Sequence, residues 1–367
     1  MLITNVHVLP IGEQREIKSG YILVDGERIV SVGSMENAPK WQEILDGEGA
    51  FALPGFVDAH NHLGLFGVRE QDANERNQPV SPHFRVIDSI SVTDEYWDEA
   101  LAAGVTTAVV APGSGSVISG QIAAFSTRDK SVLRSPVGIK CSLGENPKNE
   151  NLPQTRMAAV ALLRETLAKA VKHAAKRTAT FDFVMEALKP VVNKKLPLHI
   201  HAHALGDVRA ALRIAEEFNI EIILIHATGS AEMAAELAEL NIPVVCGPQM
   251  LHRSKAELAG HSPALAAILT ASGVVTAIAT DHPETLIGHL PLSAALAVKE
   301  GMPPLDALEA ITINAAKIAG IDDLVGSLAA DKLADILLFD KFPLELYATP
   351  KCVISHGKKV ELCTASQ

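Results

Sequence analysis

Between residues 53 and 324 the chain alternates repeatedly between short apolar runs and Ala-rich stretches of helical period. Few architectures accept that rhythm. The runs fall at 55–60, 106–111, 137–143, 198–201, 221–225, 243–246 and 274–280. Helical segments read at 94–103, 157–178, 207–218, 230–240, 262–272, 291–300 and 304–319. Strands alternating with helices imply parallel βαβ units whose strands are buried on both faces. At least seven such units in this span predict an α/β fold, a (β/α)8 TIM-type barrel, for which about 250 residues is typical. The eighth strand is expected within 113–135 or 179–195. A doubly wound open sheet would need a Gly-rich turn after its first strand, and Asp58-Ala59-His60-Asn61-His62 is not one.

The two chain ends read differently. An Asp25-Gly26 step separates the apolar runs 20–24 and 28–32, a strong hairpin signal. Runs at 334–339 and 352–355, a turn at His356-Gly357 and a run at 359–362 repeat the theme. Neither end has a helix to cover its strands. Residues 1–52 and 325–367 are therefore expected to pack together as a small β-sandwich domain beside a barrel of 53–324.

Composition narrows the function. Aromatics are only 4 % of the residues, so the core must be built from Ala, Val, Ile and Leu. A net charge of −11 argues against nucleic acid or an anionic membrane as partner and leaves a small-molecule substrate. No run of about 18 apolar residues suggests a transmembrane helix, and the first residues do not read as a secretory signal. Four cysteines without a CxxC pair fit a reduced, cytoplasmic protein, with Cys246 as a small buried hydrophobe.

Four strand ends carry the chemistry. In an extended strand positions i and i+2 face the same side. His60 and His62 thus converge at the C-terminal end of the first barrel strand, where barrel active sites form. His199, His201 and His203 crowd the end of a later strand, His226 ends the next, and Asp281 follows the run 274–280. One terminal His or Asp is ordinary. Four aimed at one mouth point to a divalent metal.

With these residues in view the sequence resembles the amidohydrolase superfamily, closest to its imidazolonepropionase-like and dipeptidase-like branches. The segment 53–62, Leu-Pro-Gly-Phe-Val-Asp-Ala-His-Asn-His, is similar to that family's first-strand signature. Asn314-Ala315-Ala316-Lys317, Gly326-Ser327-Leu328 and Ala334-Asp335-Ile336 resemble its C-terminal signature. The resemblance covers essentially the whole chain. It implies His60, His62, His201, His226 and Asp281 as metal ligands, a composite β domain, and a homo-oligomer. His203, past the strand end, suits a substrate contact, and His199 lies deeper.

Binuclear members also need a bridging ligand. Two candidates stand in 138–148: Glu145, as in the deacetylase branch, and Lys140 after carboxylation, as in the dipeptidase branch. Glu145 is favoured because it lies just past the apolar run and is anionic without modification, although a turn residue would look the same. Lys140 lies inside the run, where it must be paired or modified. The loop 113–120 lacks the Gly-Lys-Ser/Thr ending of a phosphate loop and reads as a substrate-covering loop. Gln249, His252 and Arg253 follow the run 243–246, and His252 and Arg253 are candidate substrate contacts.

The expected reaction is hydrolysis of a C–N bond in an amide, cyclic amide or short peptide, with Asp281 as general base and acid. One or two divalent metals are expected per chain, zinc foremost, with iron or manganese accepted by the same ligands. Deamination of a ring amidine is the rival reaction. Deaminases of the family carry a Glu three residues after the histidine of the later strand, and here that position is Ala204. A non-catalytic scaffold is the other alternative, opposed by a complete ligand set.

Overall fold

The computed structural model describes residues 1–12, 15–66, 71–150, 153–176 and 180–361. Leu362, Cys363 and positions 177–178 of the expected helix 157–178 lie outside the described residues. Five strands open the chain: β1 Leu2–Val8, β2 Ile17–Asp25, β3 Arg28–Ser34, β4 Ile44–Asp46 and β5 Phe51–Pro54. Three close it: β14 Ile336–Phe339, β15 Cys352–Ser355 and β16 Lys358–Lys359. Where a β-sandwich is expected, both ends hydrogen-bond into one eight-stranded sheet, β16-β15-β14-β5-β1-β2-β3, with β4 also on β1. The Asp25-Gly26 step turns β2 into β3 with Asp25 opposite Arg28 and Gly26 at φ +58°. Ile3, Val8, Ile22, Ile336 and Ile354 belong to the apolar core of this sheet, so the termini are joined by burial as well as pairing.

The second sheet is the barrel wall. Its strands are β6 Phe56–Asn61, β7 Val105–Val110, β8 Ile118–Ser126, β9 Val132–Ser142, β10 Leu198–Ala202, β11 Ile222–His226, β12 Val244–Cys246 and β13 Thr276–Ile278, paired in that order. The strand sought within 113–135 is β8. It runs antiparallel to both neighbours, so the wall holds seven parallel strands and one reversed. The connections explain the reversal. A parallel return needs a dozen or more residues for its crossover, and the links 111–117 and 127–131 are too short for one. The strict eightfold βα repeat is corrected accordingly.

No ladder joins β13 to β6 among the described residues, but the wall closes just beyond their ends. Asp281 N–H donates to the His60 carbonyl and His62 N–H to the His282 carbonyl, each at 3.0 Å. Thr280 donates twice to the buried Asp58 carboxylate, from N–H at 3.1 Å and from Oγ1 at 2.5 Å.

The helices are α1 Tyr96–Ala102, α2 Arg156–Ala174, α3 Phe183–Val192, α4 Leu205–Phe218, α5 Ala234–Glu239, α6 Leu265–Ala271, α7 Leu290–Lys299, α8 Pro304–Ala310 and α9 Ile313–Ile318. Thr155 caps α2 by accepting the Ala158 N–H, and left-handed Asn219 ends α4. The window 179–195 thus contains a helix, α3, rather than a strand. The expected helix 304–319 is split at Ile311-Thr312, and the Ile311 carbonyl accepts the Val57 N–H of β6 instead. A continuous helix could not lend that carbonyl to the wall. No described helix is long and apolar enough to cross a membrane. Cys141, Cys246 and Cys352 are buried and free.

Candidate metal centre

The site gathers at the C-terminal ends of the parallel strands. Alternation along β10 puts His199 and His201 on one face, and the register sets His199 beside Lys140 of β9 and Ala202 beside His226 of β11. Two groups form whose ligand atoms lie within 4.8 Å of one another: His60, His62 and Asp281 in the first, His201, His203 and His226 in the second. Asp281 joins them. Its Oδ1 lies 3.5 Å from His60 Nε2 and 3.3 Å from His62 Nε2, and its Oδ2 lies 3.9 Å from His226 Nε2. Lys140, wholly buried, sets Nζ 3.1 Å from His60 Nε2 and donates to the Pro112 carbonyl at 3.3 Å.

Hydrogen bonds behind the rings fix their protons. His62 Nδ1–H donates to the Ala111 carbonyl at 2.7 Å, and His226 Nδ1–H donates to the Gly247 carbonyl at 2.6 Å. A carbonyl only accepts, so the neutral form of each ring has its Nε2 lone pair toward Asp281. Burial holds the His226 imidazolium below the usual histidine range, against the pull of Asp281. In those neutral tautomers two ring nitrogens and a carboxylate face one another as acceptors. His201 Nε2 is likewise buried without a partner. A proton or a cation can hold such an array together, and imidazole with carboxylate is the donor set of zinc, iron or manganese. The residues present therefore fit a divalent metal.

The remaining electrostatics follow from burial. It depresses His60, His199, His201 and His203, the last to about 2 and His199 to about 3. It drives Asp58 up to about 7 and lowers Lys140 to about 8. Burial also pushes the Asp281 carboxyl up, but His226, His62 and Lys140 outweigh it and hold the group at about 2. His226 and Asp281 have left-handed backbone, φ +70° and +53°, a strain that clusters at working sites.

A model of the amidohydrolase family matches residues 51–360. The chain belongs to the amidohydrolase family. A crystal structure of an amidohydrolase from Thermotoga maritima MSB8 is 33 % identical, covers 98 % of this chain and 99 % of that one, and superposes with a TM-score of 0.93. Imidazolonepropionase of Alkaliphilus oremlandii is 24 % identical over 88 % of this chain and 84 % of its own length. Amidohydrolase tasK of Hapsidospora irregularis is also 24 % identical, over 90 % of this chain, which spans only 39 % of that longer protein. As a member of this family, the protein is a hydrolase.

Within this amidohydrolase the structure brings together His60, His62, His201, His226 and Asp281, and adds His203 to the second group. Glu145 is corrected. Its carboxylate is turned outward by Lys148 at 2.9 Å and Arg156 at 2.6 Å, and it stands in neither group. Lys140 is the bridging candidate that lies beside the ligands. Exposed His252 and Arg253 belong to neither group, and Arg253 donates to the His261 carbonyl at 3.0 Å. Gln249 is buried and lines a small pocket with His226, Thr228 and His261. Thr228, whose Oγ1 lies 2.7 Å from His203 Nδ1, is a contact that sequence reasoning missed, because nothing local marks a hydroxyl 25 positions from its histidine.

Proposed function

We propose that this amidohydrolase hydrolyses the C–N bond of an amide, cyclic amide or short peptide at a two-cation centre. The observation that carries the reading is the convergence of His60, His62 and His226 Nε2 on the Asp281 carboxylate, with His201, His203 and His226 forming a second group beside it. His60, His62 and Asp281 would hold one divalent cation, zinc foremost. His201 and His226, with His203 beside them, would hold the other. Bound there, such a cation supplies Lewis acidity, lowering the pKa of water toward about 7 and polarising the substrate carbonyl. The protein's own part is proton transfer and positioning. Asp281, anionic at neutral pH and reaching both groups, takes a proton from the attacking water on a carboxylate oxygen and returns it to the leaving nitrogen.

Lys140 would supply the bridging group, its Nζ standing 3.1 Å from His60 Nε2. A lysine held near 8 keeps a fraction of its amine neutral at physiological pH. That amine adds to carbon dioxide, forming an N–C bond and releasing one proton, and the carbamate so made is an anion with two oxygens. Its negative charge would offset the positive charge of two buried cations, to which a free ammonium would add. The imidazolonepropionase relatives favour a cyclic amide as the first substrate class to try.

Elemental analysis of the purified protein, followed by a screen of cyclic amides, N-acyl amino acids and dipeptides, tests the proposal. Two equivalents of divalent metal after loading, and turnover lost on chelation and regained on reloading, are expected. Less than about a tenth of an equivalent, with no uptake on reconstitution, would defeat the metal reading. Ammonia release from ring amidines without amide hydrolysis would substitute the deaminase reading.

A further inference from the structure

The run Gly113-Ser114-Gly115-Ser116 enters neither the ligand groups nor the proton transfer, yet it is firmly pinned. Gly115 N–H donates to Asn74 Oδ1 and Gly113 N–H to the Ala73 carbonyl, both at 2.7 Å. Ser116 Oγ donates to the Glu75 carbonyl at 2.6 Å. A Cβ at Gly113 or Gly115 would fall 2.4 or 2.6 Å from Asn74 Oδ1, so a side chain at either position would displace the Asn74 amide. The outcome of this pinning is a single contact. Ser114 Oγ is held 3.1 Å from His201 Nδ1.

The contact can be made in two ways. If Ser114 donates, the His201 proton sits on Nε2, a buried donor with nothing to receive it. If His201 donates from Nδ1, its Nε2 becomes a lone pair within the second group. Carbonyls impose the second arrangement on His62 and His226, and a hydroxyl allows it for His201. We propose that Ser114 is a positioning residue of the metal centre: it accepts Nδ1–H of His201 and so makes Nε2 the cation-binding nitrogen, with Asn74 holding the loop that presents it. This rests on the two-cation reading and deepens it. The loop after β7 thus serves a histidine on β10, 87 positions away, rather than only covering the mouth.

Partners behind a metal-bound histidine typically change metal affinity by 10–100-fold when removed. The test uses the full chain, stripped of metal and titrated with zinc against a chromophoric chelator, as wild type, Ser114→Ala, Ser114→Thr and Asn74→Ala. Wild type is expected to take two equivalents. Ser114→Ala should keep the tighter site and weaken the other by roughly tenfold or more, and Ser114→Thr should restore it to within about threefold. Asn74→Ala, which leaves the hydroxyl in place but frees its loop, should fall between. Two sites of wild-type affinity in Ser114→Ala would overturn the inference alone, with the two-cation reading intact. A wild type that takes no second equivalent would overturn both.

Discussion

Lys140 Nζ stands 3.1 Å from His60 Nε2, whereas Glu145, five positions further on, is tied to Lys148 and Arg156. Lysine is therefore the bridging candidate placed among the ligands. Lys140→Arg, which cannot form a carbamate, should lower metal content to one equivalent or less and remove most turnover. Glu145→Gln should leave both near wild type. Metal analysis of the two variants decides the matter, and the opposite pattern would return the bridge to Glu145.

Asp281 keeps a left-handed backbone while its carboxylate faces three histidines. Asparagine tolerates that backbone at least as well as aspartate but cannot act as a base toward water. Asp281→Asn is expected to fold, to retain much of its metal, and to lose roughly a thousandfold in kcat/KM. Activity within about tenfold of the parent would assign the base elsewhere.

Burial lowers Lys140 from an ordinary lysine value of 10.5 to about 8 in the metal-free protein. Between those values the unfolded chain binds a proton that the folded chain has already shed. Stability should accordingly rise with pH from about 8 to about 10 and level off on either side of the window. Thermal unfolding of the metal-free protein in carbon-dioxide-free buffer, compared with Lys140→Met, measures this. A difference between the two proteins that stays constant with pH counts against it.

Arg156 spans three acids on three mouth segments: Glu145 at 2.6 Å, Asp207 at 3.1 Å and Glu257 at 3.8 Å, the last with a wholly buried side chain. Removing the guanidinium strands buried carboxylates. Arg156→Ala should cost about 2 kcal/mol of stability, less than a fully buried pair because Arg156 is itself partly exposed. Denaturant titration checks it, and a loss below about half a kcal/mol would show the cluster to be held by other means.

The parts most legible in the sequence were those governed by local periodicity. Strands buried on both faces write uninterrupted apolar runs, and period two aligns His60 with His62 and His199 with His201. What escaped depends on contacts distant in the chain. The direction of β8 is set by the shortness of its connections, not by its residues. The break between α8 and α9 exists because Val57, far upstream, takes the Ile311 carbonyl. Glu145 was misplaced because standing past a strand end says nothing about which way a side chain turns. Arg156, eleven positions on, decided that.

The seam between β6 and β13 has a kinetic meaning. Asp58 and Thr280, which bond across it, are 222 positions apart, so the wall closes only after almost the entire barrel sequence has been made. Contacts of such separation carry the largest loop-closure cost and tend to form late. The proposed metal ligands flank this same joint, with Asp281 delivered by the last strand to histidines waiting on the first. A nascent or truncated chain lacking β13 has His60 and His62 but no acid between them. Filling of the proposed first cation group, unlike the second, would therefore report that the barrel wall has closed.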